Sequence, residues 1–345
     1  MRQKKHLAGL IGTTLVVALV ASLVLLAGCT SGGQGGAAAG AKKPLKIAID
    51  PWPGYSYAFV AQEKGFFKKN GVEVELVVKD SSQTKPAYKN GEVDGMFGVY
   101  SDMLLMNSEG YGGTIVYVVD YSVTGDAIVG RAEFNSLADL KGKKIGVEGI
   151  NTFSHMFVLA DLEKHGLKEG DFYIVNVPAS EVPRALDDGT IDAGHTWNPM
   201  KDEAVVKGYK ILGTAGEVPG TITDVLVFTP ATVRDRPDDV QAVVKSMAEA
   251  REYLATNRQE ALGIMAKNTS MSVAQMTDGI NGAKLLMLDE NIEAMKKSNE
   301  TTSLYGSGRI ISDFFIGHGQ MTAEPEFDRI IDREFVNNVK QAKTG

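Results

Sequence analysis

Short apolar runs alternate with amphipathic segments along residues 45–121. The apolar runs are rich in β-branched and aromatic residues and predict strands at 46–50, 72–78 and 114–119, and the segment 91–97 predicts a turn into a further strand. The segments between them place apolar residues at helical spacing and predict helices, at 55–69, 83–89 and 101–109. Strands that alternate with helices in this way are typical of a mainly parallel sheet with helices on both faces.

The same alternation restarts at residue 136. It predicts strands at 144–147, 172–177, 191–195 and 209–212, and helices at 136–140, 152–165 and 181–187. This second set spans about 90 residues, which is enough for a small domain of its own. A strand at 225–229 follows, and the rest of the chain is predicted to be helical, at 238–256, 258–268, 272–286, 291–298, 308–317 and 326–340.

The N-terminus has the pattern of an export signal. Arg2, Lys4 and Lys5 precede an almost entirely apolar run at 7–27, and small residues follow it. The four residues that end in Cys29 resemble a lipobox, the cleavage site of bacterial lipoproteins. That resemblance implies a signal peptide at 1–28, a lipidated Cys29 and a flexible Gly-rich tether at 29–44. The alternative is a signal-anchor helix, since the apolar run is long enough to span a bilayer.

Composition excludes several classes of function. A sequence with 43% hydrophobic and 23% charged residues is typical of a globular protein. The segment beyond the tether has about 300 residues, which suffice for two domains. A net charge of −7 without a basic block argues against a nucleic-acid partner. A single cysteine excludes a disulfide framework, and the five histidines lack the spacing of a zinc motif, so we expect no metal and no cofactor. The sequence lacks the Gly-x-Ser-x-Gly pattern that would indicate an enzyme with a serine nucleophile.

Several short motifs carry a resemblance to a known family. They occur in order along the chain as Asp50-Pro51-Trp52-Pro53-Gly54-Tyr55, Ala61-Gln62-Glu63-Lys64-Gly65-Phe66-Phe67, Gly91-Glu92-Val93-Asp94, Leu137 to Val147, and Gly189-Thr190-Ile191-Asp192-Ala193 followed by Trp197-Asn198-Pro199. Together they resemble the nitrate/sulfonate/taurine class of ABC-transporter substrate-binding proteins over nearly the whole mature chain. Each motif alone is weak, and their order and spacing are specific to the fold more than to the ligand.

The resemblance implies an α/β, two-lobed type II periplasmic-binding-protein fold with a helical C-terminal extension on the first lobe. The first lobe would comprise 45–121 and 224–345, and the second 124–221. The chain would be a monomer, anchored by lipid at the outer face of the cell membrane, where it delivers a small solute to an ABC permease and its ATPase subunits. Two lobes that face each other can close on a small ligand by hinge motion.

The candidate ligand site follows from the predicted strand ends. In open α/β sheets, ligands bind outside the carboxyl ends of the strands. Aromatic walls with a few fixed polar groups suit a small solute. The expected ligand-binding residues are Asp50, Trp52, Tyr55, Tyr100, Asp120, Tyr121, Glu148, Asn151, Thr152, Trp197 and Asp224.

The charge of this set bears on the ligand. It contains four carboxylates and no Lys or Arg, which favours an amine, a guanidinium-like solute or taurine held by carboxylates and aromatic faces. Backbone N–H groups at helix N-termini could instead bind an oxyanion such as nitrate, bicarbonate or a sulfonate. A thiamine-precursor binding protein and a sensor lipoprotein without a transport role remain further alternatives.

Overall fold

The computed structural model describes residues 43–344. The predicted signal peptide, the lipidation site at Cys29 and all of the predicted tether before residue 43 lie outside the described residues. In the described part, no helix combines the length and the apolar character needed to cross a bilayer. The strands are β1 Leu45–Ile49, β2 Val74–Val78, β3 Gly95–Val99, β4 Thr114–Ser122, β5 Asp126–Gly130, β6 Lys144–Val147, β7 Tyr173–Asn176, β8 Ala193–Trp197, β9 Lys210–Thr214, β10 Thr223–Phe228 and β11 Ala283–Leu285.

Helices separate most of the strands and form the C-terminal third of the chain. They are α1 Tyr57–Glu63, α2 Phe66–Lys69, α3 Ser81–Lys89, α4 Tyr100–Ser108, α5 Phe153–Lys164, α6 Val182–Asp187, α7 Met200–Val206, α8 Pro230–Asp235, α9 Pro237–Thr256, α10 Arg258–Thr269, α11 Val273–Asn281, α12 Leu288–Ala294, α13 Leu304–Gly317, α14 Phe327–Ile330 and α15 Glu334–Thr344. The predicted helix at 55–69 is interrupted at Gly65, whose φ of 74° lies in the left-handed region.

Two sheets form the centres of two lobes. The first sheet has the order β11-β4-β10-β3-β1-β2, and the second has the order β7-β6-β8-β5-β9. The first sheet and the helices packed against it are called the first lobe, and the second sheet with its helices is called the second lobe. The predicted lobe boundaries, 45–121 with 224–345 and 124–221, stay a prediction about which parts move together.

Each sheet is parallel on one side and antiparallel on the other. Strands β2, β1 and β3 are parallel, as are β7, β6 and β8, but β10 runs against β3 and β5 runs against β8. The strands β10 and β5 are those that the chain enters directly after crossing from the other lobe, whereas β11 at the sheet edge also runs against its neighbour β4 without following a crossing. A strand that begins at the edge of its sheet facing the other lobe must run away from that lobe. It is therefore antiparallel to the strands that end at the same edge. The first residues of β10 and β5 therefore lie at the cleft.

The two crossings between the lobes lie side by side. Ser122 N donates to Ile222 O at 3.1 Å, and Gly216 N donates to Val123 O at 2.7 Å. Three successive amides of the first crossing, from Val123 to Gly125, all donate to the carbonyl of Gly282 at 2.9–3.0 Å. These bonds satisfy backbone groups that would otherwise be unpaired where the chain leaves a sheet.

Some predicted elements differ from those observed. The sequence predicts neither the strand β5 nor the helix α7. The strand β5 is buried along its whole length and therefore shows no alternation of apolar and polar residues. The predicted helix at 272–286 ends at Asn281, and β11 extends the first sheet in its place. The predicted helix at 326–340 is two helices, α14 and α15, because Ile331 forms a bridge to Ile115 of β4.

Candidate functional site

A cavity of about 210 Å³ lies in the cleft between the two lobes. Both lobes contribute to it, at the ends of β1, β3, β6 and β8 and at the starts of β5 and β10. It is lined by Asp50, Trp52, Tyr55, Ser81, Ser82, Thr84, Lys85, Met96, Gly98, Val99, Asp102, Asp126, Glu148, Thr152, Phe153, Trp197, Ile222 and Asp224. The cavity thus lies past the strand ends, the region in which the sequence predicts the ligand site.

The lining is rich in carboxylates. Five acidic side chains face a single basic one, Lys85. The Nζ atom of Lys85 lies 2.6 Å from Oδ2 of Asp102, so these two charges neutralise each other. Burial acts to lower the pKa of Lys85, but the Asp102 carboxylate outweighs it and holds that pKa above its usual value. The remaining four carboxyls, Asp50, Asp126, Glu148 and Asp224, are without a basic partner in the lining.

Asp50 and Glu148 line the cavity from different lobes. Asp50 follows β1, and its Oδ1 accepts from Trp52 N at 2.9 Å. Glu148 follows β6, and its Oε1 accepts from Ser81 Oγ of the first lobe at 2.7 Å. Burial raises the pKa of Asp50 to about 7 and the pKa of Glu148 to about 7, because desolvation disfavours the charged form. A cation in the cavity would reverse that shift.

A second acidic pair lies deeper in the first lobe. Asp224 of β10 lies opposite Asp120 of β4 in the sheet, and Tyr55 OH donates to Asp224 Oδ1 at 2.5 Å. The indole Nε1 of Trp52 donates to Asp120 Oδ2 at 3.3 Å. Burial, together with the charge of Asp120, raises the pKa of Asp224 well above its usual value. Burial raises the pKa of Asp120 to about 7, so the pair retains a proton at neutral pH.

Asp126 is held by a buried histidine that is outside the set of eleven predicted ligand-binding residues. His195 of β8 lies with Nε2 3.0 Å from Asp126 Oδ1 and with Nδ1 2.7 Å from Ser154 Oγ. Ser154 Oγ also accepts from Glu148 N at 3.0 Å. A ring that donates from Nε2 and accepts at Nδ1 satisfies all of these bonds. His195 therefore orients Asp126 and, through Ser154, ties it to the backbone of Glu148.

Aromatic rings form the other walls of the cavity. The ring centroids of Phe153 and Trp197 are 5.8 Å apart, and His195 packs edge-on against Phe153 at 5.6 Å. Trp52 is 5% exposed and lies over Gly54 and Gly125. A Cβ at Gly54 would lie 2.3 Å from Trp52 Nε1, and one at Gly125 would lie 2.5 Å from its ring, so both positions need glycine for close approach.

Two polar contacts join the lobes across the cavity. One is the hydrogen bond from Ser81 to Glu148. The other runs from Phe153 N, in the first turn of α5, to Asp102 Oδ1 of α4 at 3.2 Å. Asp102 thus binds Lys85 within its own lobe and the N-terminus of a helix in the other lobe. Lys85 lies within α3 and does not follow a strand end, whereas Asp102 lies in the first turn of α4 just past the end of β3 and was not predicted although Tyr100 beside it was.

Four of the predicted site residues do not line this cavity. Tyr100 is fully buried in the first lobe, where its hydroxyl donates to Leu304 O at 2.9 Å. Tyr121 lies on the outer side of β4, and its hydroxyl donates to Thr302 O at 2.5 Å. Asn151 is exposed beside Gln320 at the rim. Asp120 is buried behind Trp52 and reaches the cavity only through that ring.

Seven predicted site residues are brought together in the lining. They are Asp50, Trp52, Tyr55, Glu148, Thr152, Trp197 and Asp224. Their role in ligand binding stays a prediction. In the described part of the chain, the His, Cys, Asp and Glu atoms that lie close enough to share a metal ion are outside this cavity.

Known proteins resemble the chain in sequence and in structure. The sequence model of the NMT1/THI5-like family matches residues 52–261. A protein of Brucella abortus, described provisionally as a binding protein, is 26% identical over 286 residues, which cover 81% of this chain and 86% of the relative. The formylaminopyrimidine-binding protein of Halalkalibacterium halodurans is 21% identical over 289 residues, with coverage of 81% and 86%.

A solved structure has the same fold. The periplasmic aliphatic sulphonate binding protein of Escherichia coli superposes with a TM-score of 0.69 at 16% identity, over 86% of this chain and 99% of the other. This likeness confirms the predicted two-lobed α/β fold. The sequence matches confirm the predicted resemblance to solute-binding proteins.

Proposed function

We propose, from the premise that this chain belongs to the NMT1/THI5-like family, that it is the extracytoplasmic solute-binding component of an ABC importer and that its solute is a small nitrogenous cation. The relatives that are named for a bound ligand are solute-binding proteins. The ligand would bind in the open cleft, close it, and be delivered to the permease and its ATPase subunits. For the ligand to drive closure, it must bind the closed state more tightly than the open one.

The observation that carries the charge assignment is the imbalance of the cavity wall. Asp50, Asp126 and Glu148 converge there from both lobes with Asp224 behind them. The single lysine is neutralised by Asp102. An unpaired carboxylate is costly to enclose, and a cation bound between two such groups supplies the missing charge. Because Asp50 and Glu148 belong to different lobes, one cation between them would also favour closure.

The helices α3 and α5 both begin at the cavity, and the N-terminus of α5 is already occupied. Free N–H groups at the N-terminus of a helix attract anions, and α5 begins at the cavity. Its first amide, Phe153 N, donates to the Asp102 carboxylate. The protein's own anion thus takes the place that a sulfonate or nitrate would need at the N-terminus of α5. This contact favours a cation even though the structural relative from Escherichia coli is named for sulphonates.

The aromatic walls narrow the class of cation further. Trp52, Trp197 and Phe153 present flat faces and edges around the carboxylates. Such faces attract alkylated or delocalised cations by cation–π interaction and stack on planar rings. Guanidinium compounds, substituted amines and protonated aminopyrimidines share these properties. The name of the Halalkalibacterium relative is consistent with the last of them.

An enzymatic role is not favoured by the hydrogen-bond chain at the cavity. Ser154, His195 and Asp126 have the residue types of a hydrolytic triad. In such a triad the serine would be at the cavity, but here the aspartate is. Asp126 lines the cavity, whereas the Ser154 hydroxyl is fully buried and accepts from Glu148 N. A nucleophile must reach the substrate, and this hydroxyl does not. The chain instead positions a carboxylate for binding.

The proposed ligand class is tested by calorimetry and thermal shift on the full-length chain. The panel comprises an alkylamine, a guanidinium compound, an aminopyrimidine, taurine, an alkanesulfonate, nitrate and bicarbonate. We expect the cations to raise the unfolding temperature by mass action, and Glu148→Gln to weaken their binding tenfold or more, since hydrogen bonds to charged groups contribute about 1.5–3 kcal/mol.

Glu73→Gln serves as the matched control for that substitution, because Glu73 is exposed and lies outside the cavity. It should bind the same cations as the wild type. If the alkanesulfonate or nitrate stabilised the protein while no cation did, the charge assignment would be wrong and the capture role would stand.

The proposed anchor is Cys29, the only cysteine of the chain. A diacylated and N-acylated cysteine would hold the protein at the outer face of the membrane, because each buried CH₂ group contributes about 0.8 kcal/mol. Cells that express Cys29→Ser should incorporate no labelled palmitate into the protein, whereas the wild type should be labelled. Equal labelling of both would contradict the anchor.

A further inference from the structure

A second group of ionisable side chains lies in the second lobe, away from the cavity. Asp161 and His165 are one turn apart on α5 or at its end, and Glu217 ends the short 3-10 turn that follows β9. Each residue offers one ligand atom, and the three atoms lie within 4.8 Å of one another. His165 Nδ1 is 3.6 Å from Asp161 Oδ1, and His165 Nε2 is 3.9 Å from Glu217 Oε2.

Asp161 is the unusual member of this group. Its side chain is 0% exposed, and neither carboxylate oxygen has a hydrogen-bond partner. Buried polar atoms in native proteins are almost always paired, because an unpaired one loses its hydration without compensation. A Cβ at Gly213 would lie 2.2 Å from Asp161 Oδ2, so the glycine leaves the space in which this carboxylate lies. The structure therefore makes room for a carboxylate that lacks a partner.

We propose that Asp161, His165 and Glu217 bind a divalent transition-metal ion, with Zn²⁺ as the representative. Two carboxylates and one imidazole are a ligand set that Zn²⁺ accepts, with water in the fourth position. Mixed oxygen and nitrogen ligands favour such an ion over Ca²⁺ or Mg²⁺, which prefer oxygen alone. This site is independent of the solute proposed for the cleft.

The histidine is already oriented for this role. His165 Nδ1 lies 2.9 Å from the backbone carbonyl oxygen of Asp161 and donates a hydrogen bond to it, which leaves the lone pair of Nε2 for a metal. Two ligands of one tetrahedral Zn²⁺ ion are about 3.3 Å apart at bond lengths near 2.0 Å. The 3.9 Å between Nε2 and Glu217 Oε2 is within a small side-chain adjustment of that separation.

The site also has a route of entry. The side chains of His165 and Glu217 are 35% and 40% exposed, whereas Asp161 lies beneath them. An ion could thus reach the two outer ligands from solvent and be completed by the buried carboxylate. The sequence predicts no metal site here, because zinc motifs place their ligands at close spacing and Glu217 is distant from the other two ligands along the chain.

The test is titration of Zn²⁺ into the full-length chain after removal of metal with a chelator, followed by calorimetry and thermal unfolding at pH 7.5. We expect one ion per chain, a higher unfolding temperature by mass action, and binding at least tenfold weaker in His165→Gln and in Glu217→Gln. Both substituted residues are partly exposed, so the variants should fold, which their unfolding transitions in chelator would verify.

His318→Gln is the matched control. His318 Nε2 lies 3.2 Å from Glu169 Oε2, so a half-buried histidine pairs with an exposed glutamate outside the proposed site. This variant should bind Zn²⁺ as the wild type does. The proposal is overturned if the wild type takes up no stoichiometric ion, or if His165→Gln and Glu217→Gln bind it with unchanged affinity.

Discussion

The affinity of this chain for a cationic solute should fall roughly 25-fold for each cleft carboxyl that must ionise when the pH is lowered from 7.5 to 5.5. Burial raises the pKa of Asp50 and of Glu148 to about 7 in the ligand-free cleft. A cation binds the ionised forms, so binding removes protons that these groups hold. Below pH 7 the proton and the cation compete, and the affinity decreases with each unit of pH.

Calorimetry in buffers of different ionisation enthalpy measures this competition directly, because released protons add the heat of buffer protonation. Near pH 7 we expect proton release on binding and a smaller release in Glu148→Gln, while Glu73→Gln releases as much as the wild type. An oxyanion would produce the opposite sign, since it binds better to protonated carboxyls. Uptake of protons on binding would therefore refute the cationic ligand.

The part of the site that could be predicted from the sequence is the part that follows parallel strands. Asp50 comes directly after β1, Glu148 after β6, and Trp197 ends β8. The carboxyl ends of parallel strands meet at one edge of a sheet, so a strand pattern suffices to bring such residues together. No knowledge of side-chain packing is needed for that step.

Asp224 of the reversed strand β10 was predicted at the site, but Asp126 of the reversed strand β5 was not. Asp126 begins β5, and a strand buried along its whole length has no alternating pattern to reveal it. Asp102 and Lys85 lie on helices, and only the packing of α3 and α4 at the cleft places their charges there. Asp120 and Tyr121 were both predicted at the site, yet neighbours in a strand point to opposite faces, so they could not share one cavity.

The fold can be predicted from the sequence more readily than the charge of the ligand, again because the latter depends on side-chain packing. The motifs that carry the family resemblance are turns and helix ends, and they fix the backbone that relatives share. The charge of the cavity depends on which lobe residues pair with each other, as Lys85 does with Asp102. A family match can therefore predict the two lobes, whereas the sign of the ligand needs the contacts within the cleft.

The ligand-free protein should become less stable as the pH rises from 5 to 7.5. Burial raises the pKa of Asp50, Asp120 and Glu148 to about 7, and that of Asp224 well above its usual value. The unfolded chain loses these protons near pH 4, while the folded chain keeps them until about pH 7. The folded state therefore binds more protons between these values, and the free energy of unfolding decreases as the pH rises.

The expected effect is large. Between pH 5 and pH 7.5 a folded-state pKa of about 7 corresponds to about 2.5 kcal/mol for one group at 1.36 kcal/mol per unit, and the four groups act in the same direction. Burial lowers the pKa of His155, which gives an opposite but smaller trend from a single group. We expect Asp120→Asn to raise the free energy of unfolding at pH 7.5 and to change it little at pH 5, because asparagine keeps an acceptor for the Trp52 indole.

Urea unfolding of the full-length chain at pH 5, 6 and 7.5, without ligand, measures both effects. Asp278→Asn is the control, because Asp278 is an exposed carboxylate on α11 and its replacement should leave the pH dependence unchanged. A cation that fills the cleft should reverse the trend, since it holds the same carboxyls ionised in the folded state. Stability that stayed constant or increased from pH 5 to 7.5 in the free protein would show that the cleft carboxyls are already ionised, and would remove the basis for proton-linked capture of a cation.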